Sequence, residues 1–305
     1  MRYVYGPVPS RRLGWSLGVD LIPAKTCTFN CIYCQLGRSR TLTLERSEYV
    51  PFDGVLEEIR EKTACRPDYI TISGSGEPTL YSRLGELLDQ IRSLTDVPLA
   101  VLTNGSLLWR EDVREELKAA SLVIPSLDAG NAAMFATINR PHGDLDFEQV
   151  LQGLVDFRES FAGQIWLEIL LVAGFTANNS EIQDLSRCVE RIRPDRVQLN
   201  TVTRPPAEDY AVAVPPHELL EYAQQFRPVA EVIGDAPSTH ARNRCADITQ
   251  DTLGLIRRRP CTLQDVANGL GIHVLEAVKH LEILTADARV HSTMIGSKVF
   301  YMARF

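Results

Sequence analysis

Three cysteines, Cys27, Cys31 and Cys34, fall within the run Cys27-Thr28-Phe29-Asn30-Cys31-Ile32-Tyr33-Cys34. Spacings of four and three let one loop wrap its thiolates around a compact inorganic centre. Thiolates suit soft metals, either zinc or iron in a sulfide cluster. A structural zinc site needs a fourth ligand. None is obvious nearby, since no histidine precedes His142. A four-iron cubane held by three thiolates keeps one iron without a protein ligand. Such an iron can bind a small molecule, which points to chemistry rather than to electron storage alone.

Other polar groups fall at the ends of β-rich runs. Ser73-Gly74-Ser75-Gly76-Glu77-Pro78-Thr79 is a glycine-rich turn. Glycine permits close backbone approach, Glu77 can accept from an ammonium group, and Pro78 presets a helix start. Thr103-Asn104-Gly105 and Ser126-Leu127-Asp128-Ala129 end two further runs. Glu168 sits inside an apolar run, where an ionised carboxylate needs a partner. Arg11, Arg12, Arg140, His142 and Arg204 lie in segments flanking the runs and are candidates for facing a substrate. Cys245 and Cys261 have no close pair spacing, so they are expected to be buried structural thiols rather than ligands of a second cluster.

The runs that carry these groups are Leu17–Ile22, Tyr69–Ser73, Leu99–Thr103, Leu122–Leu127, Ile165–Val172 and Arg196–Asn200. Helical patterns separate them. The clearest, from Leu80 through Leu84, Leu87, Leu88 and Ile91 to Leu94, is apolar along one face. Others cover Asp53–Lys62, Arg110–Ala119, Phe147–Phe161 and Glu181–Ile192. Strands that are apolar almost throughout suit a parallel sheet covered on both faces. Repeated βα units of this kind give a doubly wound sheet or a barrel, and both place ligands at the C-terminal ends of the strands.

The cysteine loop follows the first strand, with Tyr33 just before its last cysteine. In this setting it resembles the radical S-adenosylmethionine (SAM) superfamily, over roughly residues 1–235. The resemblance implies a partial (β/α)6 barrel and a [4Fe–4S] cluster on Cys27, Cys31 and Cys34. It further implies SAM chelated by the open iron and cleaved reductively to a 5′-deoxyadenosyl radical. Gly74, Ser75, Gly76 and Glu77 resemble the motif that binds the SAM amino group, with Ser75 where many members have glycine. Tyr33, Thr103, Asn104, Ser126, Asp128 and Glu168 are further implied cofactor contacts, although Glu168 could equally pair with an arginine. The strand-end motifs resemble the molybdenum-cofactor-cyclase branch, and the Gly6–Gly14 segment, the cysteine loop and Ser126-Leu127-Asp128-Ala129 together resemble relatives of wyosine-type tRNA-modifying enzymes. An electron donor such as flavodoxin or ferredoxin is implied as partner.

The bulk numbers bound the substrate and the setting. The chain has 305 residues and a net charge of −7, from 32 basic and 39 acidic side chains. From Thr249 onward seven Lys/Arg face five Asp/Glu, so that part is +2 and the remainder −9. Bulk charge therefore does not favour nucleic acid, and a stripe of Arg11, Arg12, Arg38, Arg40 and Arg46 is the one candidate basic face. Neither a membrane span nor a signal peptide is apparent, so the cytoplasm is the expected compartment and a disulfide framework is not expected.

Residues 236–248 read as a linker, and 249–305 as three helices and a hairpin resembling a winged helix-turn-helix. The second of its paired helices, with one Lys, one His and two Glu, is a poor major-groove reader, so specific DNA contact is not expected. The resulting expectation is a radical SAM enzyme acting on tRNA, a peptide or a small molecule. An iron–sulfur redox sensor that binds DNA, or an activase of glycyl-radical enzymes, are the alternatives.

Overall fold

The computed structural model describes residues 3–234, 248–296 and 298–304. Strands β1 (Val4–Ser10) and β2 (Gly14–Val19) form an antiparallel hairpin. The short strands β3 (Thr26–Cys27) and β4 (Thr41–Leu42) pair in parallel and frame the cysteine loop. Then come β5 (Tyr69–Ile72), β6 (Leu99–Thr103), β7 (Leu122–Pro125), β8 (Gln164–Leu171), β9 (Arg196–Thr201) and the short β10 (Glu231–Val232). The main sheet has the order β1-β2-β5-β6-β7-β8-β9-β10. From β2 onward every pairing in it is parallel.

Parallel neighbours require crossovers, and helices supply them. These are α1 (Phe52–Thr63), α2 (Leu84–Leu94), α3 (Glu111–Leu117), α4 (Ala132–Ile138), α5 (Phe147–Ser160), α6 (Asn179–Ile192) and α7 (Pro216–Ala223). In α2 the residues Leu84, Leu87, Leu88 and Ile91 are fully buried against the sheet, as their spacing requires. The pattern overran this helix at its N-terminal end, where Leu80 lies in a preceding 3-10 turn, and Leu94, its last residue, is 39% exposed.

Two features at the sheet edge differ from the sequence expectation. The first parallel strand is Gly14–Val19 rather than Leu17–Ile22, because Asp20 leaves the ladder to bind the turn after β5. Leu21 and Ile22 remain buried, but in the loop. The hairpin partner β1 went unrecognised because Pro7 and Pro9 argue against a central strand. At an edge, prolines are tolerated.

After the expected linker come α8 (Ile248–Arg258), α9 (Leu263–Leu270), α10 (Val274–Ala286) and an antiparallel hairpin of β11 (Val290–Ile295) and β12 (Lys298–Ala303). The linker expected over 236–248, and Cys245 with it, lies outside the described residues except for Ile248, which opens α8. Helix α9 begins with a full capping box, in which Thr262 Oγ1 accepts from the Asp265 amide at 3.1 Å and the Asp265 carboxylate accepts from the Thr262 amide at 2.9 Å. It ends at Gly271 with φ 57°. Leu253, Ile256, Val266, Leu281 and Leu284 form a second hydrophobic cluster, against which Val8 of β1 also packs. Cys261 is a buried free thiol, whereas Cys65 is disulfide-bonded, contrary to the expectation of no disulfides. No helix among the described residues is long and apolar enough to cross a membrane.

Candidate active site

The cysteine loop is held by its apolar residues and by its backbone. Phe29 and Ile32 are buried in the main core, and Phe29 packs edge-to-face on Phe135 of α4, with ring centroids 5.3 Å apart. The Asn30 amide donates to the Asn139 carbonyl at 3.0 Å, and the Ile32 amide to the Ile138 carbonyl at 2.9 Å. With Phe29 and Ile32 turned inward, Cys27, Cys31 and Cys34 stay partly exposed.

Their thiols share one environment. Burial pushes the Cys27 thiol up to about 12, with the Glu77 charge adding to it. Burial and the neighbouring Cys34 and Cys27 raise Cys31 well above its ordinary range. Cys34 is raised by burial too, against a lowering pull from Lys25. Such thiols ionise only beside a compensating cation, and a coordinated metal supplies one. Among the described residues, no three His, Cys, Asp or Glu side chains converge on a single metal ion. Two amides point at the sulfurs: Asn104 Nδ2 lies 3.6 Å from Cys27 Sγ, and Asn139 Nδ2 lies 3.5 Å from Cys31 Sγ.

The glycine turn closes directly onto this loop. The Lys25 amide donates to the Ser75 carbonyl at 2.7 Å, and the Glu77 amide to the Thr26 carbonyl at 3.3 Å. A Cβ on Gly76 would stand 2.0 Å from the Thr26 carbonyl oxygen, so only glycine permits the approach. Gly74 has φ 150°, and a Cβ there would strike Asp20. Ser75 does not face the cavity: its hydroxyl donates to Asp20 Oδ2 at 2.6 Å.

Glu77 is 2% exposed. Its Oε1 accepts from the Thr79 amide (3.0 Å), Thr79 Oγ1 (2.6 Å) and Thr103 Oγ1 (2.6 Å); its Oε2 accepts from the Asn104 amide (2.7 Å). Burial holds its carboxyl above the ordinary range although these bonds pull it down. Asn104 Nδ2 also donates to Thr28 Oγ1 at 2.7 Å, so the ends of β5 and β6 and the cysteine loop form one network.

Past β7, Ser126 borders the cavity and Asp128 stands behind it. Asp128 accepts from the Tyr33 hydroxyl, from the Leu170 amide at 2.7 Å and from Asn139 Nδ2 at 3.2 Å. Burial raises its carboxyl to about 6 despite those donors. Asp128 thus orients Tyr33 and, through Asn139, the Cys31 side.

Glu168 borders the same cavity with an arginine beside it. It pairs with Arg12 and accepts from Asn200 Nδ2 at 3.0 Å. Arg12 also donates to Gln198 Oε1 at 3.3 Å. Burial pushes Glu168 up, but the Arg12 charge and the hydrogen bonds from Asn200 and Arg12 outweigh it, leaving the carboxyl below the ordinary range.

These groups enclose a cavity of about 440 Å³ at the C-terminal ends of the parallel strands, the usual ligand position in such sheets. Cys27, Cys34, Gly76, Glu77, Asn104 and Ser126 border one side. Arg11, Arg12, Glu168, Asn200 and Arg204 border the other, and Leu255, Arg258 and Arg259 reach in from α8 and its exit. A larger cavity of about 860 Å³, between β1 and α8, contains none of the three loop cysteines in its lining.

Arg140 and His142 do not border the strand-end cavity. Arg140 binds Glu208 Oε1 and the Tyr210 hydroxyl, both at 2.6 Å, and the His142 ring accepts from the Asp144 amide at 3.3 Å. The basic stripe is not formed either. Arg46 is spent on Glu116, Asp112 and the Thr79 and Tyr81 carbonyls, and Arg38 pairs with Glu208.

Asn200, one residue before the end of β9, escaped the sequence reading, although the strand-end rule would have found it. Asn139, Arg258 and Arg259 take their positions from tertiary packing.

Comparison with known proteins gives this arrangement a context. The family model described as "Radical SAM superfamily" matches residues 21–187. The chain is 32% identical to the UPF0026 protein of Helicobacter pylori strain J99, over 98% of this chain and 97% of that one. It is 37% identical over 303 residues to the "GTPase Obg" of Brachyspira hyodysenteriae, but spans only 45% of that longer protein. A radical SAM methyltransferase from Sphaerobacter thermophilus shares the fold, with a TM-score of 0.52 and 16% identity over 71% of this chain and 65% of that one. With its parallel sheet and its cysteine loop on the strand-end rim, this chain belongs to the radical SAM superfamily of enzymes.

Proposed function

We propose that Cys27, Cys31 and Cys34 hold a [4Fe–4S] cluster and that the strand-end cavity seats SAM beside it. One observation carries the reading: the loop bearing the three thiols is stitched by backbone hydrogen bonds to the Gly74–Glu77 turn, and both border a single cavity. Bound there, the cluster would supply the electron that cleaves the SAM sulfonium, releasing methionine and a 5′-deoxyadenosyl radical.

The residues of the chain bind and orient. Glu77 Oε2, with one protein donor, has capacity left for the SAM ammonium group. Gly74 and Gly76 let the ligand approach the backbone. Thr103 and the Asn104 amide fix the Glu77 carboxylate, and Ser126 is placed for the ribose side. Asp128 and Asn139 set the tilt of Tyr33. Helix α8 covers the mouth and excludes water. Residues 1–235 form the catalytic unit, and 249–305 a winged-helix-like unit serving it. The enzyme works in the cytoplasm and receives its electron from a flavodoxin or ferredoxin. Its substrate is tRNA, a peptide or a small molecule.

Anaerobic reconstitution with iron and sulfide tests this. About four irons per chain are expected, the stoichiometry of one cubane, with 5′-deoxyadenosine formed from SAM under dithionite. Full iron and sulfide content in Cys34→Ala would overturn the ligand assignment.

A further inference from the structure

The turn assigned to the SAM ammonium group contains two glycines, Gly74 and Gly76. Glycine has the most conformational freedom to lose, so such a turn binds weakly unless its neighbours fix it beforehand. Both neighbours of Gly74 are fixed, and by residues outside the turn. The Ser73 and Tyr5 hydroxyls share a hydrogen bond at 3.2 Å. Ser75 donates to Asp20 twice, from its amide to Oδ1 at 3.1 Å and from its hydroxyl to Oδ2 at 2.6 Å. A glycine at position 75 would lack the second of these bonds.

Tyr5 and Asp20 meet again at one side chain, that of Arg258, the last residue of α8. Its guanidinium carbon lies 3.8 Å from the centroid of the Tyr5 ring, and its Nε lies 3.9 Å from Asp20 Oδ2. The Arg258 and Asp20 side chains are 12% and 13% exposed, so water screens their attraction little. Each contact is anchored on its far side. Arg258 Nη1 donates to the Gly254 carbonyl, one helical turn back, at 2.6 Å. The Tyr5 ring lies against Gly18, where a Cβ would stand 2.0 Å from it. One guanidinium from the C-terminal segment thus touches both residues that pin Ser73 and Ser75. Helix α8 is already anchored by Leu253, Leu255 and Ile256 in the second hydrophobic cluster. A buried arginine adds little to such packing, at a high cost in desolvation.

We propose that Arg258 is a positioning residue: through Tyr5 and Asp20 it locks the turn around Gly74, so that the C-terminal segment sets the affinity of the barrel for SAM. The inference rests on the strand-end cavity being the SAM site and adds how that site is held. The direction follows from pre-organisation. With Arg258 in place, the freedom of the turn is lost on folding rather than on binding. Helix α8 then has a part in cofactor binding distinct from covering the mouth of the cavity.

Two readouts on the full chain, reconstituted with iron and sulfide, test this. One is SAM affinity by calorimetry; the other is amide hydrogen exchange over the Ser73–Glu77 turn without SAM. Arg258→Gln is expected to weaken SAM by about tenfold, the scale of one desolvated cation–π contact, and to speed exchange in the turn, with iron content unchanged. Arg258→Lys, which keeps a cation over Tyr5, should recover part of both. Tyr5→Phe/Ser75→Ala removes the hydroxyl of each arm and should match Arg258→Gln. Adding Arg258→Gln to that double variant should change neither readout further. Arg257→Gln, an exposed neighbour on α8, should behave as the wild type. Arg258 also borders the cavity, so direct contact with SAM is the competing account. It predicts additive losses in the triple variant and unchanged exchange in Arg258→Gln, and either result overturns the proposal. So does wild-type SAM affinity in Arg258→Gln, an equal loss in Arg257→Gln, or loss of iron together with SAM. If the wild type binds no SAM, the assignment of the cavity fails, and exchange over the turn alone decides whether Arg258 holds it.

Discussion

The ion pair between Arg12 and Glu168 fastens the turn between β1 and β2 to β8, across 156 residues of sequence. Its side chains are 12% and 16% exposed, so the pair is largely withdrawn from water. Glu168→Gln keeps the shape but leaves the Arg12 charge facing only neutral acceptors. Removing one partner of a buried pair costs about 3 kcal/mol, mostly the penalty on the charge left behind. Arg12→Met strands Glu168 in the same way, with Asn200 as its remaining hydrogen-bond donor, and should cost a similar amount. The double variant Arg12→Met/Glu168→Gln leaves no unpaired charge. It should lose less than either single variant, well below the about 6 kcal/mol of additive effects. Urea unfolding of the cluster-free protein under anaerobic reductant measures all three, provided the denaturant slope is unchanged.

The pair also has a pH signature. The folded carboxyl of Glu168 lies below its unfolded value. Its contribution is therefore complete above the ordinary glutamate pKa and is lost as the pH falls through the folded value. The wild type should lose stability on acidification more steeply than Glu168→Gln. Additivity of the two single changes, or identical acid profiles, would refute the argument that the pair acts as a unit.

Further predictions concern the cofactor side. Gly76→Ala should displace the Thr26 carbonyl, which a Cβ would meet at 2.0 Å, and so shift Cys27; iron content after reconstitution should fall, and full iron with wild-type SAM affinity would contradict it. Glu77→Gln places an amide where the carboxylate accepts from Asn104, and SAM affinity by calorimetry should drop by about tenfold or more, as for a lost charged hydrogen bond; unchanged affinity would remove Glu77 from the SAM site. Ending the chain at Asp247 strips α8 and its arginines from the cavity while leaving the cysteine loop intact. Iron content should then persist, and loss of the iron would show that the C-terminal segment supports the cluster itself.

The residues that carry chemistry were legible because spacing in the chain already limits geometry. Cys27, Cys31 and Cys34 cannot lie far apart, and Phe29 and Ile32 between them were bound to turn inward. Alternating apolar strands and one-faced helices required a covered parallel sheet, and strand-end placement of Glu77, Thr103, Asn104 and Ser126 followed from it. Helix α9 starts and stops on local signals, the capping box at Thr262 and the left-handed Gly271. What sequence could not supply were partners chosen across long separations. Asp128 looked like a cavity residue, but its oxygens are taken by Tyr33, Leu170 and Asn139, so it supports the site from behind. Glu168 had no partner readable in the sequence, because Arg12 is brought to it by an edge hairpin disguised by its prolines. Arg258 and Arg259 border the cavity only because α8 packs on β1. Local spacing determines which groups a loop or turn can present; only the packing of distant segments decides which of those groups remain unsatisfied, and therefore available to a ligand.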